Sequence, residues 1–286
     1  MLSIDPKEIS ISKLHGYLLG AVAPRPIAFA STMDADGNPN LSPFSFFNVF
    51  GANPPILIFS PARRVRDNTP KHTLENALAT KEVVINMVNY DIVQQMSLSS
   101  TEYPAGVNEF DKAGFTMLAS ENIKPFRVAE SPVQFECKVT DVIGTGSEGG
   151  AGNLIICEVV KMHISEAVLD QHGAIDQHKI DLVARAGGSY YSRARAGFFE
   201  ISKPLTTLGI GVDAIPVDIR NSAILTGNNL GMLGNVSQLP DMVAVDNFAK
   251  EHPKFIGLET VKKHTFAKEF LNKKEVESAW KVLLIK

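Results

Sequence analysis

The sequence predicts a mainly β, α+β fold: an antiparallel barrel or sandwich with short helices, followed by a partly helical extension. Three observations carry that expectation. Short apolar or alternating runs recur through the first two thirds, separated by turn residues and not by long helices. Val133, Phe135, Cys137 and Val139 alternate with Gln134, Glu136, Lys138 and Thr140, a period of two that gives one strand an apolar and a polar face. After about Leu205 the composition changes, first to Gly, Asn, Ile and Leu, then from Asp241 to recurring Lys, Glu and Phe.

In chain order, residues 26–32 (PIAFAST) form a β-rich run that ends at the turn cluster Asp36-Gly37-Asn38, a strong hairpin signal. The return strand is residues 39–42, leading into residues 44–50. Asn53-Pro54-Pro55 punctuates the chain before residues 56–60, a short, continuously apolar and therefore buried strand. Residues 73–80 predict a short helix with Thr73 as N-cap. Residues 82–88 predict another buried strand, and Asp91 opens a helix. Residues 133–140 pair with residues 154–164 across the Gly-rich stretch 144–152. Hairpins in this density exclude a doubly wound parallel sheet, which needs a long helix after nearly every strand. Residues 241–280 predict one or two amphipathic helices around Pro253 and Gly257.

The 286 residues suffice for about two domains, or one large domain with an appendage. Apolar residues are 44% and charged residues 21%, which excludes a mostly disordered chain. Lys and Arg number 28 against 31 Asp and Glu, so no basic balance invites nucleic acid. The longest apolar runs are a few residues, far below the roughly 20 that cross a bilayer, so no membrane partner is expected. The N-terminus lacks the apolar core of a signal peptide, and the 2 cysteines exclude a disulfide framework. A cytoplasmic location is the expectation. His163, His172 and His178 alternate irregularly with Asp170, Asp176 and Asp181, without metal-ligand spacing. The glycines of 144–152 resemble a phosphate loop only superficially. They lack its Lys-Ser/Thr end and join two strands.

Two stretches carry chemistry. Within residues 23–60, Ser31, Thr32, Ser42, Ser45 and Asn48 place hydroxyls and an amide among apolar positions. Buried hydroxyls need partners. Either a polar ligand with an extended, partly apolar body meets them, or they cap turns in an ordinary hairpin. Residues 60–73 then hold four cations, Arg63, Arg64, Arg66 and Lys71, with several hydroxyls before a helix start. Such a terminus has free N–H groups and a positive dipole end, so it suits a phosphate monoester. A solvated basic loop is the alternative. Together the stretches suggest a ligand with a polar heterocycle, a hydroxylated linker and a phosphate. FMN has that composition, as do many nucleotides.

The segments APRPIAFAST, DADGNPNLSPFSFFN, PPILIFS and KHTLENA, in this order and spacing, closely resemble the flavin reductase-like family of FMN-binding split barrels, flavoredoxins included. Residues 183–191 (VARAGGSYY) resemble the family's Arg-x-Gly-Gly-x-x-Tyr element, and LTGNNLGMLGNV resembles an extension found in some members. The resemblance covers about residues 10–200. It implies an antiparallel split β-barrel over 1–205 and a helical extension over 206–286 that packs on the barrel or a dimer partner. It implies FMN as cofactor, with FAD as the alternative, NADH or NADPH as electron donor, and a homodimer with flavin at its interface. The activity implied is hydride transfer from nicotinamide to the flavin. The alternative is an electron-transfer protein of the flavoredoxin kind that works with a redox partner protein. Ser31, Thr32, Ser42, Pro43, Phe44, Ser45, Phe46 and Asn48 are implied along the isoalloxazine and ribityl chain, with Thr32 and Asn48 nearest the ring. Ser60, Arg63, Lys71 and Thr73 are implied at the phosphate, and Arg185 and Tyr191 where they close the pocket or reach the nicotinamide side. The family often has Lys-Asp-Thr where this chain has Lys71-His72-Thr73. No acid–base side chain is required, and none is assigned as catalytic.

Overall fold

The computed structural model describes residues 1–104, 106–202 and 208–286. They form two compact units, Met1–Phe198 and Phe199–Lys286. The boundary expected between 205 and 206 lies outside the described residues.

The first unit opens with α1 (Ile11–Ala21), then β1 (Ala28–Met33), β2 (Pro39–Phe44), β3 (Phe47–Ala52) and β4 (Pro55–Phe59). Next come α2 (His72–Thr80), β5 (Glu82–Met87), α3 (Val93–Leu98), α4 (Glu109–Ala113), β6 (Met117–Leu118) and β7 (Arg127–Val128). The long strands β8 (Val133–Gly144) and β9 (Asn153–Ile164), α5 (Gln177–Ile180), β10 (Val183–Arg185) and β11 (Tyr191–Arg193) complete it. Seven strands pair antiparallel in the order β2-β1-β5-β8-β9-β4-β3. Consecutive strands β2 and β3 thus sit at opposite edges, linked only by Ser45 and Phe46. The three peptide steps from Phe44 to Phe47 reach at most about 11 Å. The edges of a flat seven-stranded sheet would lie about 29 Å apart. The sheet therefore curls into a barrel left open between β2 and β3, the predicted split-barrel architecture.

Local chemistry explains the first hairpin. The Asp34 carboxylate accepts from the N–H groups of Asp36 (3.0 Å) and Asn38 (2.8 Å). Gly37 supplies the φ of +91° that the turn needs. Ala28, Ala30, Phe59, Ile85, Cys137 and Cys157 pack together with Leu74 and Ala77 of α2. The other face of β1, through Phe29, packs with Leu41, Val88, Met96, Phe110 and Phe115.

Several local expectations need correction. The α2 N-cap is Lys71, not Thr73, which lies one turn position inside the helix. In β4 only Leu57 and Phe59 are buried, because β4 alternates between core and outer face. The expected wet face of β8 is wet only at Lys138 and Thr140: Gln134 and Glu136 are buried. The segment before β8 folds back over that face. Gln134 Nε2 donates to the carbonyls of Val128 (2.8 Å) and Ser131 (3.1 Å).

The second unit is helical: α6 (Val217–Arg220), α7 (Gly227–Gly234), α8 (Met242–Glu251), α9 (Thr260–Asn272) and α10 (Val276–Leu284). Three helices replace the one or two expected after Asp241. α7 arises within the Gly- and Asn-rich stretch because Thr226 and Asn229 form a reciprocal capping box. Trp280 is fully buried among Ile215, Leu233 and Leu271, and its Nε1 donates to the Leu233 carbonyl at 3.1 Å. Among the described residues no helix is long and apolar enough to cross a membrane.

Candidate functional site

The loop between β4 and α2 folds on its own side chains, and this sorts its cations. Ser60 Oγ accepts from the Asn153 N–H at 3.0 Å, tying the end of β4 to β9. A Cβ on Gly152 would stand 2.9 Å from that oxygen, so the close approach requires glycine. Arg63 Nε donates to Asn68 Oδ1 at 2.6 Å, and its Nη2 donates to the Asn68 carbonyl. Its backbone pairs with Gly150 and Ala151. Ser60 and Arg63, both expected at a phosphate, thus help to close the loop, and neither lines the cleft formed by the neighbouring residues.

Arg64 points elsewhere. Its Nη1 donates to Thr69 Oγ1 (2.9 Å) and to the Pro70 carbonyl, and its Nε meets Glu102 Oε1 at 3.0 Å. Lys71 Nζ meets the same Glu102 oxygen at 3.0 Å, and Arg66 Nη2 meets Oε2 at 3.1 Å. Hydrogen bonds from Lys71 and Arg64 bring the Glu102 carboxyl down to about 2. Lys71 also marks the start of α2, where no side chain caps the free N–H groups.

Hydroxyls and an amide complete the surroundings. Thr73 Oγ1 accepts from Asn40 Nδ2 at 2.9 Å, which leaves its own proton available for donation. Asn40 Nδ2 also donates to Thr32 Oγ1 (3.3 Å), as does Asn76 Nδ2 (3.2 Å). Thr32 thus supports Asn40 from beneath. Ser42 lies two residues along β2 from Asn40 and so on the same face. Ser99, just after α3, is 2% exposed, and its Oγ has no hydrogen-bond partner among the described residues. Ser42, Arg64, Lys71, Thr73, Ser99 and Glu102 line one cleft. Glu109 borders it as well, accepting from the Leu41 N–H on edge strand β2 at 3.1 Å; burial pushes its carboxyl up.

A buried hydroxyl without a partner is destabilising by about 1–3 kcal/mol, and Ser99, which lines the cleft, leaves its hydroxyl open to an acceptor there. An uncapped helix start, the cations Arg64 and Lys71, and the Thr73 and Ser99 hydroxyls form a donor set suited to an oxyanion with several oxygens.

A second group gathers near α1. Arg25 is 6% exposed and closes the C-terminal end of α1, donating through Nη1 to the carbonyls of Leu19 (2.7 Å) and Val22. Its Nε reaches Ser45 Oγ at 3.4 Å, and its backbone pairs with Arg185. Burial and then the Arg185 charge lower the Arg25 pKa. The Arg185 guanidinium lies over the Tyr191 ring, 4.6 Å from its centroid. Arg185, Tyr191 and Ser45 are therefore neighbours through Arg25.

Other expected residues lie apart. Ser31 points to the face of β1 opposite Thr32, since strand side chains alternate; it is fully buried beside Leu41 in register, and its Oγ is also without a partner. Ser31 and Thr32 cannot line one ligand from the same side. Phe44 packs on Phe59 in the core, with ring centroids 5.5 Å apart, and Pro43 is held in register with Phe29. Phe46 is partly exposed against His15, and Asn48 is exposed on edge strand β3, its Oδ1 accepting from the Val49 N–H at 2.8 Å. Among the described residues no group of three His, Cys, Asp or Glu stands close enough to hold a metal. His163 instead bonds Glu136, Asp176 caps α5, and Asp181 pairs with Arg193.

Residues 20–182 match the flavin reductase like domain. The chain belongs to this family. A protein of Aquifex aeolicus is 38% identical over 188 residues, 66% of this chain and 93% of that protein. Nitrilotriacetate monooxygenase component B from Bacillus cereus superposes with a TM-score of 0.65 at 28% identity, covering 71% of this chain and 98% of that one. A Shewanella frigidimarina protein with a split barrel domain gives a TM-score of 0.58 at 24% identity, covering 71% of this chain and 98% of that one, which speaks to fold alone.

Sequence reasoning missed Asn40, Ser99 and Glu102, and it placed Arg63 at the phosphate where Arg64 lines the cleft. The hydroxyl run Ser97, Ser99, Ser100 and Thr101 was the available signal for the far wall of the cleft.

Proposed function

We propose that this protein is an FMN-dependent oxidoreductase that passes hydride from NADH or NADPH to bound flavin. The observation that carries the proposal is the cationic cleft at the uncapped start of α2, with the partnerless Ser99 hydroxyl in its wall, in a flavin reductase-like barrel. In this reading Arg64, Lys71, Thr73, Ser99 and Ser42 receive the flavin phosphate, and Thr32 fixes Asn40 and through it Thr73. Bound FMN supplies the hydride-accepting chemistry, and the protein supplies orientation and electrostatics. Ser45, Phe46 and Asn48 lie where β2 passes to β3 and are assigned to the ring side. Arg185, stacked on Tyr191, is assigned to the nicotinamide nucleotide, whose phosphates suit a guanidinium. FAD is the alternative flavin.

A homodimer is part of the proposal. Val49 and Phe50 on edge strand β3, with Val160 and Met162 on β9, are exposed apolar side chains suited to a second copy. The proposed setting is the cytoplasm.

The test is the visible spectrum of purified protein loaded with FMN, without oxygen, before and after NADH or NADPH. Bleaching of the flavin band within seconds is the expected result. A band that persists with both nucleotides overturns the reductase reading and favours an electron carrier reduced by a partner protein.

A further inference from the structure

Glu102 is an acid placed against the cations that the proposed flavin phosphate needs. Its Oε1 accepts from Arg64 Nε and Lys71 Nζ, both at 3.0 Å, and its Oε2 from Arg66 Nη2 at 3.1 Å. Its side chain is 41% exposed, so nothing in the packing forces the carboxylate into this position. Those contacts leave the donor set incompletely used. Among the described residues Ser99 Oγ in the same cleft has no partner, the Thr73 proton is unassigned, and the start of α2 is uncapped. A carboxylate brings one charge and two oxygens. A phosphate monoester brings a charge of about −1.5 to −2 and three strong acceptor oxygens. The cleft is thus matched to a larger anion than the one its own chain provides.

We propose that Glu102 is an internal competitor for the phosphate site: a phosphate-bearing ligand displaces its carboxylate from Lys71 and Arg64, so Glu102 sets how tightly the ligand is held. This rests on the assignment of the cleft to the flavin phosphate and deepens it. The consequence is an exchangeable flavin. Binding FMN breaks the contacts of Glu102 with Arg64 and Lys71, and release re-forms them, so the cations are never left unpaired. Exposed ion pairs are individually weak, which makes displacement by a dianion favourable while still taxing affinity. Glu102 is accordingly a specificity-determining residue and not a catalytic one.

The experiment is calorimetric titration of the full chain and of Glu102→Gln with FMN, riboflavin and inorganic phosphate. Glu102→Ala serves as a second variant. Glu75→Gln is the control, removing one charge from the first turn of α2 without touching the three cations. The expected result is that both Glu102 variants bind FMN and inorganic phosphate about tenfold more tightly, with riboflavin unchanged and the control within about threefold. FMN binding that is unchanged or weaker in the Glu102 variants overturns the proposal, the weaker result making Glu102 a support for the cations. If no protein binds either flavin, the flavin assignment fails, and inorganic phosphate still decides. Tighter phosphate in the variants upholds competition by Glu102; unchanged or absent phosphate binding overturns it.

Discussion

Replacing Lys71 by alanine is expected to weaken FMN binding about 10- to 100-fold, the usual size of a lost charge-assisted hydrogen bond. Riboflavin, which has the ring and ribityl chain without the phosphate, is expected to stay within about twofold. The contrast follows from the geometry. Lys71 is the N-cap of α2 through its backbone alone and makes no side-chain cap, so alanine leaves the helix start intact. Its Nζ works only in the cleft, 3.0 Å from Glu102. Arg64→Ala is expected to behave alike, and the FMN preference of the native chain is expected to shrink as salt screens the cations. Equal losses for FMN and riboflavin would place Lys71 in general support of the barrel and remove it from the phosphate site.

Glu136→Ala is expected to destabilise the first unit by about 3–5 kcal/mol, the effect of removing one member of a buried ionic cluster. Glu136 is fully buried on β8. Its carboxylate accepts from the N–H groups of Glu121 (2.8 Å) and Asn122 (2.7 Å) and from His163 Nε2 (2.8 Å), with Arg127 Nε 3.9 Å away. Alanine would leave these part-buried donors without their acceptor and detach the segment that covers β8 at this point. Burial pushes the carboxyl up, but the two N–H groups and His163 outweigh it, and the net shift is downward. A folded pKa below the unfolded one gives stability that is present above the unfolded value. That stability is lost as pH falls from about 4.3 through the lowered folded value. Urea unfolding of native and variant proteins should therefore show a large difference at neutral pH that narrows in acid. A difference that stays constant below pH 4.3 would contradict this role for the charge.

The same residue shows where sequence reading ends. Alternation along 133–140 correctly located β8, but periodicity records only that Gln134 and Glu136 are polar. It cannot register that residues 119–131 return to cover them and satisfy them with backbone groups. The β1–β2 hairpin was legible because Asp34, Gly37 and Asn38 act locally, within five residues. The cleft was half legible. Lys71 and Thr73 announce themselves by position at a helix start, whereas Arg63 and Arg64 are adjacent and identical, and only the folded loop assigns one to Asn68 and the other to the cleft. Ser99 and Glu102 reach the cleft from a segment about thirty residues further on, a distance that no local pattern spans. Ser31 and Thr32 looked equivalent in sequence, yet strand geometry sends them to opposite faces. In the second unit, α7 stayed hidden because its glycines and asparagines are poor helix formers, rescued by a capping box and by packing under Trp280.

The central claim is that the cleft at the start of α2 receives the phosphate of a flavin. Parallel titration of the native protein with FMN and riboflavin, followed by flavin fluorescence at low salt, tests it most directly. The account predicts that FMN binds at least about tenfold more tightly than riboflavin, as charge-assisted contacts to a phosphate require. Equal affinities for the two would contradict it, since the cations of the cleft would then contribute nothing to holding the ligand.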